Sequence, residues 1–298
     1  MSLEVKQLTK SFGSNVAIDH LSLSMDAPGI YGLIGTNGAG KTTTIRCILG
    51  IMEPDEGTAL WNGKRISRET LKFGYLPEER GIYMKTKVLE QLVYFGMLRG
   101  MNRTDARNSA LSYLKRLKIA DYKNTPAEKL SKGNQQKIQL IAALIHHPTL
   151  IFLDEPFSGL DPLNAEILRS LLAELVEEGC YIVMSSHQMS TVEEFCRDLV
   201  ILTKGHTVLQ GNLKAIKAGY GHTNLVLSTA EDVDTLAAKH GLTLLNQGAQ
   251  ESEYKITGDA MAQEFLTELL NRKIFPTKYE IKEPSLQEIF VEKVGAAQ

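Results

Sequence analysis

The sequence has 298 residues, 43% apolar and 23% charged, with a formal net charge of −2 and a pI near 6.4. That length suits one large domain or a large and a small one, and the near-neutral balance gives no case for a nucleic-acid partner. Three widely spaced cysteines, Cys47, Cys180 and Cys196, argue against a disulfide framework or a thiolate metal site, and no run approaches the roughly 20 apolar residues of a membrane span.

The first residues, Met1-Ser2-Leu3-Glu4-Val5-Lys6, lack the apolar stretch of a signal peptide. Up to about residue 30, polar and apolar positions alternate (Leu3, Val5, Leu8; Leu21, Leu23, Met25), which predicts antiparallel strands. Ile30 to Ile34 is a short apolar run that predicts a buried strand. Gly35-Thr36-Asn37-Gly38-Ala39-Gly40-Lys41-Thr42 follows, an unbroken match to G-x-x-x-x-G-K-[ST], and Thr43 to Leu49 reads as a helix. Strand, glycine loop and helix start form the arrangement that cradles phosphates: backbone N–H groups converge, and the helix dipole favours the anion. Residues Gly35 to Thr43 are therefore candidate nucleotide contacts, with Lys41 reaching the β- and γ-phosphates and the Thr42 hydroxyl binding Mg²⁺.

Asn62-Gly63 between strand-like flanks signals a hairpin, with Trp61 as a packing residue. From about 86 to 147 the period turns helical. Thr86 and Thr104 are the expected N-caps and Gly100 a helix stop. Leu89, Leu92, Val93 and Met97 form one core stripe, and Ala106, Ala110, Tyr113, Leu114 and Leu117 another. The basic residues Arg80, Lys85, Lys87, Arg99, Arg103, Arg107, Lys115, Arg116 and Lys118 outnumber the acids nearby; they form either a solvated helix face or a surface near anionic lipid heads.

Leu130-Ser131-Lys132-Gly133-Asn134-Gln135 opens another apolar, helix-period run, in which Ser131 suits an N-cap. Leu150 to Leu153 reads as a buried parallel strand ending in Asp154-Glu155-Pro156. Beside a phosphate loop, Asp154 is assigned to the metal shell and Glu155 to the general base. A further apolar strand, Tyr181 to Met184, precedes His187.

After about residue 218 the character changes. Gly219-Tyr220-Gly221-His222 reads as a linker. Strand-like Leu225–Leu227, helical Asp232–His240, strand-like Leu242–Leu245 and Tyr254–Ile256, helical Met261–Leu270 and strand-like Lys278–Ile281 give β-α-β-β-α-β, the ferredoxin-like order. A last helix is expected over Ser285 to Val294.

The phosphate loop, LSKGNQ and LIFLDE, in this order and with these gaps, resemble the ATP-binding subunit of bacterial ABC transporters over about residues 2 to 215. Ser158-Gly159-Leu160-Asp161 looks like that family's D-loop, His187 like its switch histidine, and Phe12, completed by Val16 and Ala17, like its adenine platform. The end of the chain, Pro284 to Phe290, resembles a small accessory domain of exporter ATPases, including sodium- and drug-extrusion types.

The resemblance implies an α/β fold: a P-loop NTPase of ABC type over 1–218, with an N-terminal antiparallel β subdomain and a helical subdomain at about 86–147. A small α+β domain of ferredoxin-like order follows over 219–298. It also implies ATP hydrolysis with Mg²⁺ in a head-to-tail homodimer, where Ser131, Gly133 and Asn134 of one chain complete the site of the other. Asp161 then couples the sites across the interface, and His187 contacts the γ-phosphate. The implied partner is a separate integral membrane permease, with this chain peripheral on the cytoplasmic face of the membrane.

Two departures stand out: Lys132 where the family has Gly together with Asn134 where it has Gln, and Glu78 where a Gln normally senses Mg²⁺ and the partner. Glu78 is assigned to the metal on that basis. A soluble ABC ATPase acting on ribosomes or DNA is the alternative; one phosphate loop and no sustained heptads count against it.

Overall fold

A computed structural model describes residues 1–66, 72–79, 81–248 and 250–295, so Arg80 of the basic stretch lies outside the described residues. The chain divides into two units at Gln210/Gly211. The first contains, in order, β1 (Leu3–Phe12), β2 (Asn15–Met25), β3 (Gly29–Gly35), α1 (Lys41–Ile48), β4 (Glu56–Trp61), β5 (Lys64–Arg65), β6 (Phe73–Leu76), α2 (Val88–Leu98) and α3 (Arg103–Arg116). These are followed by α4 (Lys132–Leu144), β7 (Leu150–Asp154), α5 (Pro162–Glu177), β8 (Tyr181–Ser186), α6 (Met189–Phe195), β9 (Asp198–Thr203) and β10 (His206–Asn212), whose last two residues fall in the second unit.

The alternating N-terminal segments pair as the antiparallel sheet β2-β1-β4-β5. Its Asn62-Gly63 turn takes φ of 51° and 75°, the left-handed pair a tight hairpin requires. Trp61 packs edge-on against Tyr181, with ring centroids 5.0 Å apart. The second sheet has the order β10-β9-β3-β8-β7-β6, and β6, β7, β8, β3 and β9 run parallel. Every residue of β7 and β8 is buried, which explains their unbroken apolar runs. Ile45 and Ile48 of α1 lie in one core cluster with Leu3, Leu8 and Leu21 of the first sheet and Leu33, Phe152 and Val183 of the second. This packing seats the loop before α1 at the carboxyl ends of the parallel strands, where open α/β sheets bind ligands.

The helical stretch departs from its sequence reading in detail. α2 starts after Lys87, which makes no side-chain cap, and α3 is capped by Asn102, whose side chain accepts from the Asp105 N–H at 2.8 Å. Thr104 falls inside the first turn. Asn102 wins because its short amide reaches the N3 donor and also binds the Asp105 carboxylate. Gly100 stops α2 as expected, with φ of 87°. Met97 is 47% exposed, whereas Leu89, Leu92 and Val93 are buried with the α3 stripe. Among the described residues, three of the basic ones have intramolecular roles: Arg116 pairs with Glu174 and Glu178 and lies over Tyr113, Arg99 lies over Phe73, and Lys87 pairs with Glu90. Among the described residues no helix is long and apolar enough to cross a membrane.

The second unit opens with α7 (Leu213–Tyr220), whose N-cap is Asn212. The helix runs through Gly219 and Tyr220 and stops at Gly221 (φ 67°), so the expected linker is partly helical, and the second unit begins at Gly211. β11 (Asn224–Ser228), α8 (Asp234–Lys239), β12 (Thr243–Gln247), β13 (Ser252–Lys255), α9 (Asp259–Asn271) and β14 (Lys278–Lys282) follow, then α10 (Leu286–Gly295). The sheet order β12-β13-β11-β14, all antiparallel, is the ferredoxin-like arrangement. Leu225, Leu227, Tyr254, Phe265 and Leu269 form its core. A reciprocal capping box opens α10: Ser285 N–H donates to Glu288 at 2.8 Å and Glu288 N–H to Ser285 Oγ at 3.2 Å. The same Glu288 accepts from buried Asn224 at 2.9 Å, which ties the last helix to the sheet.

Candidate functional site

The ends of β3, β7 and β8 bring together residues far apart in sequence. Lys41, 6% exposed, donates to the carbonyls of Gly35 (2.7 Å) and Thr36 (3.3 Å) and lies 3.3 Å from Glu155 Oε1. The Thr42 hydroxyl donates to Asp154 Oδ2 at 2.7 Å. His187 Nδ1 is 2.9 Å from Glu155 Oε2. Glu155 has φ of +50°, a left-handed conformation uncommon for a residue with a side chain. It is held there by its own N–H, which donates to Ser185 Oγ at 2.9 Å, and by its two carboxylate partners. Glu155 Oε1 is buried without a hydrogen bond.

Ser185 is the site residue that sequence reasoning missed. Its hydroxyl donates to Asp154 Oδ1 at 2.5 Å while accepting from the Glu155 N–H, so one side chain orients both acids. The signal was the register of β7 on β8, which sets Asp154 opposite Ser185.

The glycines of the phosphate loop are conformationally required. Gly40 has φ of 104°, and a Cβ there would sit 2.1 Å from the Ala17 carbonyl oxygen. Gly38 has φ of 79° and open space where a Cβ would project. A further clamp comes from the Lys204-Gly205 turn between β9 and β10: Gly205 N–H donates to the Ala39 carbonyl at 3.2 Å. Gly40→Ala is expected to cost about 1–3 kcal/mol of stability and to lower the thermal midpoint. An unchanged midpoint would show that the loop and the Ala17 strand are not packed as described.

Phe12 and Val16 flank the β1–β2 turn, 49% and 39% exposed, with Ala17 half-buried beside them. The Lys10 ammonium lies 5.7 Å from the Phe12 ring centroid. They form an open apolar ledge next to the loop. Ser131 caps α4, its hydroxyl accepting from Asn134 N–H at 3.3 Å. Asp161 caps α5 through Asn164, whose N–H donates to it at 2.9 Å, and this bond holds the Asp161 carboxyl below its usual range. A Cβ on Gly133 would meet the Asn164 amide nitrogen at 3.1 Å, so the two helix starts adjoin. Among the described residues no hydrogen bond or ion pair joins Ser131, Gly133 or Asn134 to residues 35–43. Glu78 lines a cleft of about 270 Å³ together with Lys132, Gln136, Gln139, Asp154 and Glu155.

The donor set suits a metal-bound polyphosphate. Hydroxyl and carboxylate oxygens of Thr42 and Asp154 are hard ligands of the kind Mg²⁺ takes. Glu155 Oε1 is buried without a hydrogen bond and has the Lys41 ammonium 3.3 Å away, so it keeps acceptor capacity.

A family described as ABC transporter matches residues 18–158, and one described as ATP-binding protein DrrA1-3-like, C-terminal domain, matches residues 211–294. The chain is 45% identical over 295 residues, 99% of both proteins, to the uncharacterized ABC transporter ATP-binding protein YhaQ of Bacillus subtilis (strain 168). It is 28% identical over 305 residues, 98% of each, to the linearmycin resistance ATP-binding protein LnrL of the same organism. Among solved structures it resembles an ATP-binding subunit of an ABC transporter, with a TM-score of 0.67 at 31% identity over 74% of this chain and 93% of that one. It also resembles cbiO1 of Clostridium perfringens, part of the transporter complex cbiONQ, with a TM-score of 0.64 at 25% identity over 72% and 90%.

Proposed function

The chain belongs to the ATP-binding proteins of ABC transporters, and from that premise we propose that it powers export through a separate membrane permease as a head-to-tail dimer. As an ABC ATPase it converts ATP and water to ADP and phosphate. The observation that carries the site assignment is the joint placement of Lys41, Thr42, Asp154, Glu155 and His187 at the ends of three parallel strands.

In this reading residues 35–43 hold the triphosphate, with backbone N–H groups of the loop and the Lys41 ammonium on its oxygens. Phe12, Val16 and Ala17 stack on adenine. Thr42, Asp154 and Glu78 hold Mg²⁺, which when bound neutralises charge on the phosphate oxygens. Ser185 keeps Asp154 aimed at the metal and Glu155 at the water. Glu155 accepts the proton of the attacking water, and His187 fixes that carboxylate and contacts the γ-phosphate. Ser131, Gly133 and Asn134 contribute a hydroxyl, an unobstructed N–H and a helix N-terminus to the γ-phosphate of the partner chain. Asp161, adjoining Gly133 through Asn164, reports the state of one site to the other.

Export, rather than uptake, is supported by the match of residues 211–294 to the DrrA-like C-terminal domain and by the full-length similarity to a linearmycin resistance ATP-binding protein. The similarity to a subunit of cbiONQ supports assembly with a membrane partner, and hence a place at the cytoplasmic face of the membrane. The test is to trap the Glu155→Gln protein with ATP in native membranes and identify what it retains. Sedimentation with membranes and recovery of a multi-span protein is the expected outcome. Sedimentation with ribosomes, or recovery from the supernatant alone, would contradict the transport reading.

A further inference from the structure

Gln139 is a polar residue deep inside α4, 7% exposed. Its side-chain amide donates both hydrogens to backbone: to the Pro77 carbonyl at 3.0 Å and to the Glu79 carbonyl at 2.7 Å. Those carbonyls flank Glu78 on either side. One turn earlier on the same helix face, Gln136 donates to the Pro156 carbonyl at 2.7 Å, immediately after Glu155. A single face of α4 therefore grips two loops, one carrying Glu78 and one carrying Asp154 and Glu155. All of these residues except Pro156 and Glu79 line the same cleft.

We propose that Gln139 is a positioning residue for ATP hydrolysis: it fixes the backbone on both sides of Glu78 and so aims the Glu78 carboxylate at the metal side of the cleft. An exposed glutamate on a short loop after a strand end would otherwise sample many directions, at an entropic cost to any one of them. Two hydrogen bonds from one planar amide remove that freedom at the backbone, and Pro77 limits it further through its fixed φ. Because α4 begins at Lys132, the tether also makes the aim of Glu78 follow any movement of the helix whose cap is Ser131. Outer partners of metal-binding groups commonly change metal affinity by about 10–100-fold, which is the scale expected here. The inference rests on the reading that Glu78 faces Mg²⁺.

The test uses the full chain as Gln139→Met, Gln139→Ala, Glu78→Ala and the double Gln139→Ala/Glu78→Ala. Gln139→Met keeps the bulk without the donors, and Gln139→Ala leaves room for water on the two carbonyls. The readout is the dissociation constant of a fluorescent ATP analogue with and without Mg²⁺, beside kcat, KM and the thermal midpoint. The expected result is a loss of about tenfold in the Mg²⁺-dependent gain in affinity for each single variant. Metal-free affinity should be unchanged, and the double variant should be no worse than Glu78→Ala. The proposal is overturned if the Gln139 variants keep the full gain while Glu78→Ala loses it, if metal-free affinity falls equally, or if the two losses multiply. If Glu78→Ala itself keeps the gain, the metal assignment of Glu78 fails, and the proposal with it.

Discussion

Glu155→Gln is expected to bind ATP as the unsubstituted protein does and to release phosphate about 10²–10⁴-fold more slowly. The substitution keeps shape and hydrogen-bonding reach but removes the ability to take a proton. Glu155 is 7% exposed, its Oε2 is held by His187 at 2.9 Å, and its Oε1 has no hydrogen bond and only the Lys41 ammonium at 3.3 Å. That oxygen is the one with acceptor capacity to spare. The left-handed backbone of Glu155 is retained through its N–H bond to Ser185, which the substitution leaves untouched. Steady-state phosphate release beside fluorescent-nucleotide binding separates the two effects. Normal turnover would remove Glu155 as the base, and loss of binding would make its role structural.

Lys41→Ala is expected to act in the opposite way, weakening nucleotide binding by about 10–100-fold, the worth of a charge-assisted hydrogen bond of about 1.5–3 kcal/mol. Lys41 has a second role in the folded chain. It is the ammonium nearest a carboxylate as buried as itself, and deleting one partner of such a pair leaves an uncompensated charge, with a penalty of about 3–5 kcal/mol. The His187 contact to the other carboxylate oxygen offsets part of that. The variant should therefore fold with a lowered thermal midpoint, and nucleotide should raise that midpoint less than it does in the unsubstituted protein.

The parts of this site that were legible in the sequence are those in which chemistry is contiguous. Gly35 to Thr42 carries strand end, loop and helix start in one run, and Leu150 to Glu155 carries a buried strand with its acids attached. The ferredoxin-like order could be read because each short element of the second unit is bounded by polar or glycine-containing turns. Ser185 was hidden because its role depends on which residue of β8 lies opposite Asp154, a register that no local pattern fixes. Gln139 was hidden because a buried amide within an apolar helix looks like any other interior position until its carbonyl partners are known. The Lys204-Gly205 clamp on Ala39 joins segments far apart in the chain. The caps at Thr86 and Thr104 failed because several polar residues near each helix start compete, and geometry chose Asn102 for the second helix and no side chain for the first. Met97 sits on the right period but is 47% exposed.

The central claim is that each ATP is hydrolysed by residues of two chains, the Lys41 loop of one and the Ser131 helix start of the other. Ser131→Arg should keep ATP binding to the loop and block closure, since the larger cation fills the space left for phosphate. Mixing purified Lys41→Ala and Ser131→Arg proteins tests the claim most directly. A mixed dimer has one site with both defects and one with neither, so phosphate release in the mixture should rise well above that of either variant alone. A mixture no more active than the sum of its two components, or a Ser131→Arg protein that hydrolyses ATP normally on its own, would contradict the shared site.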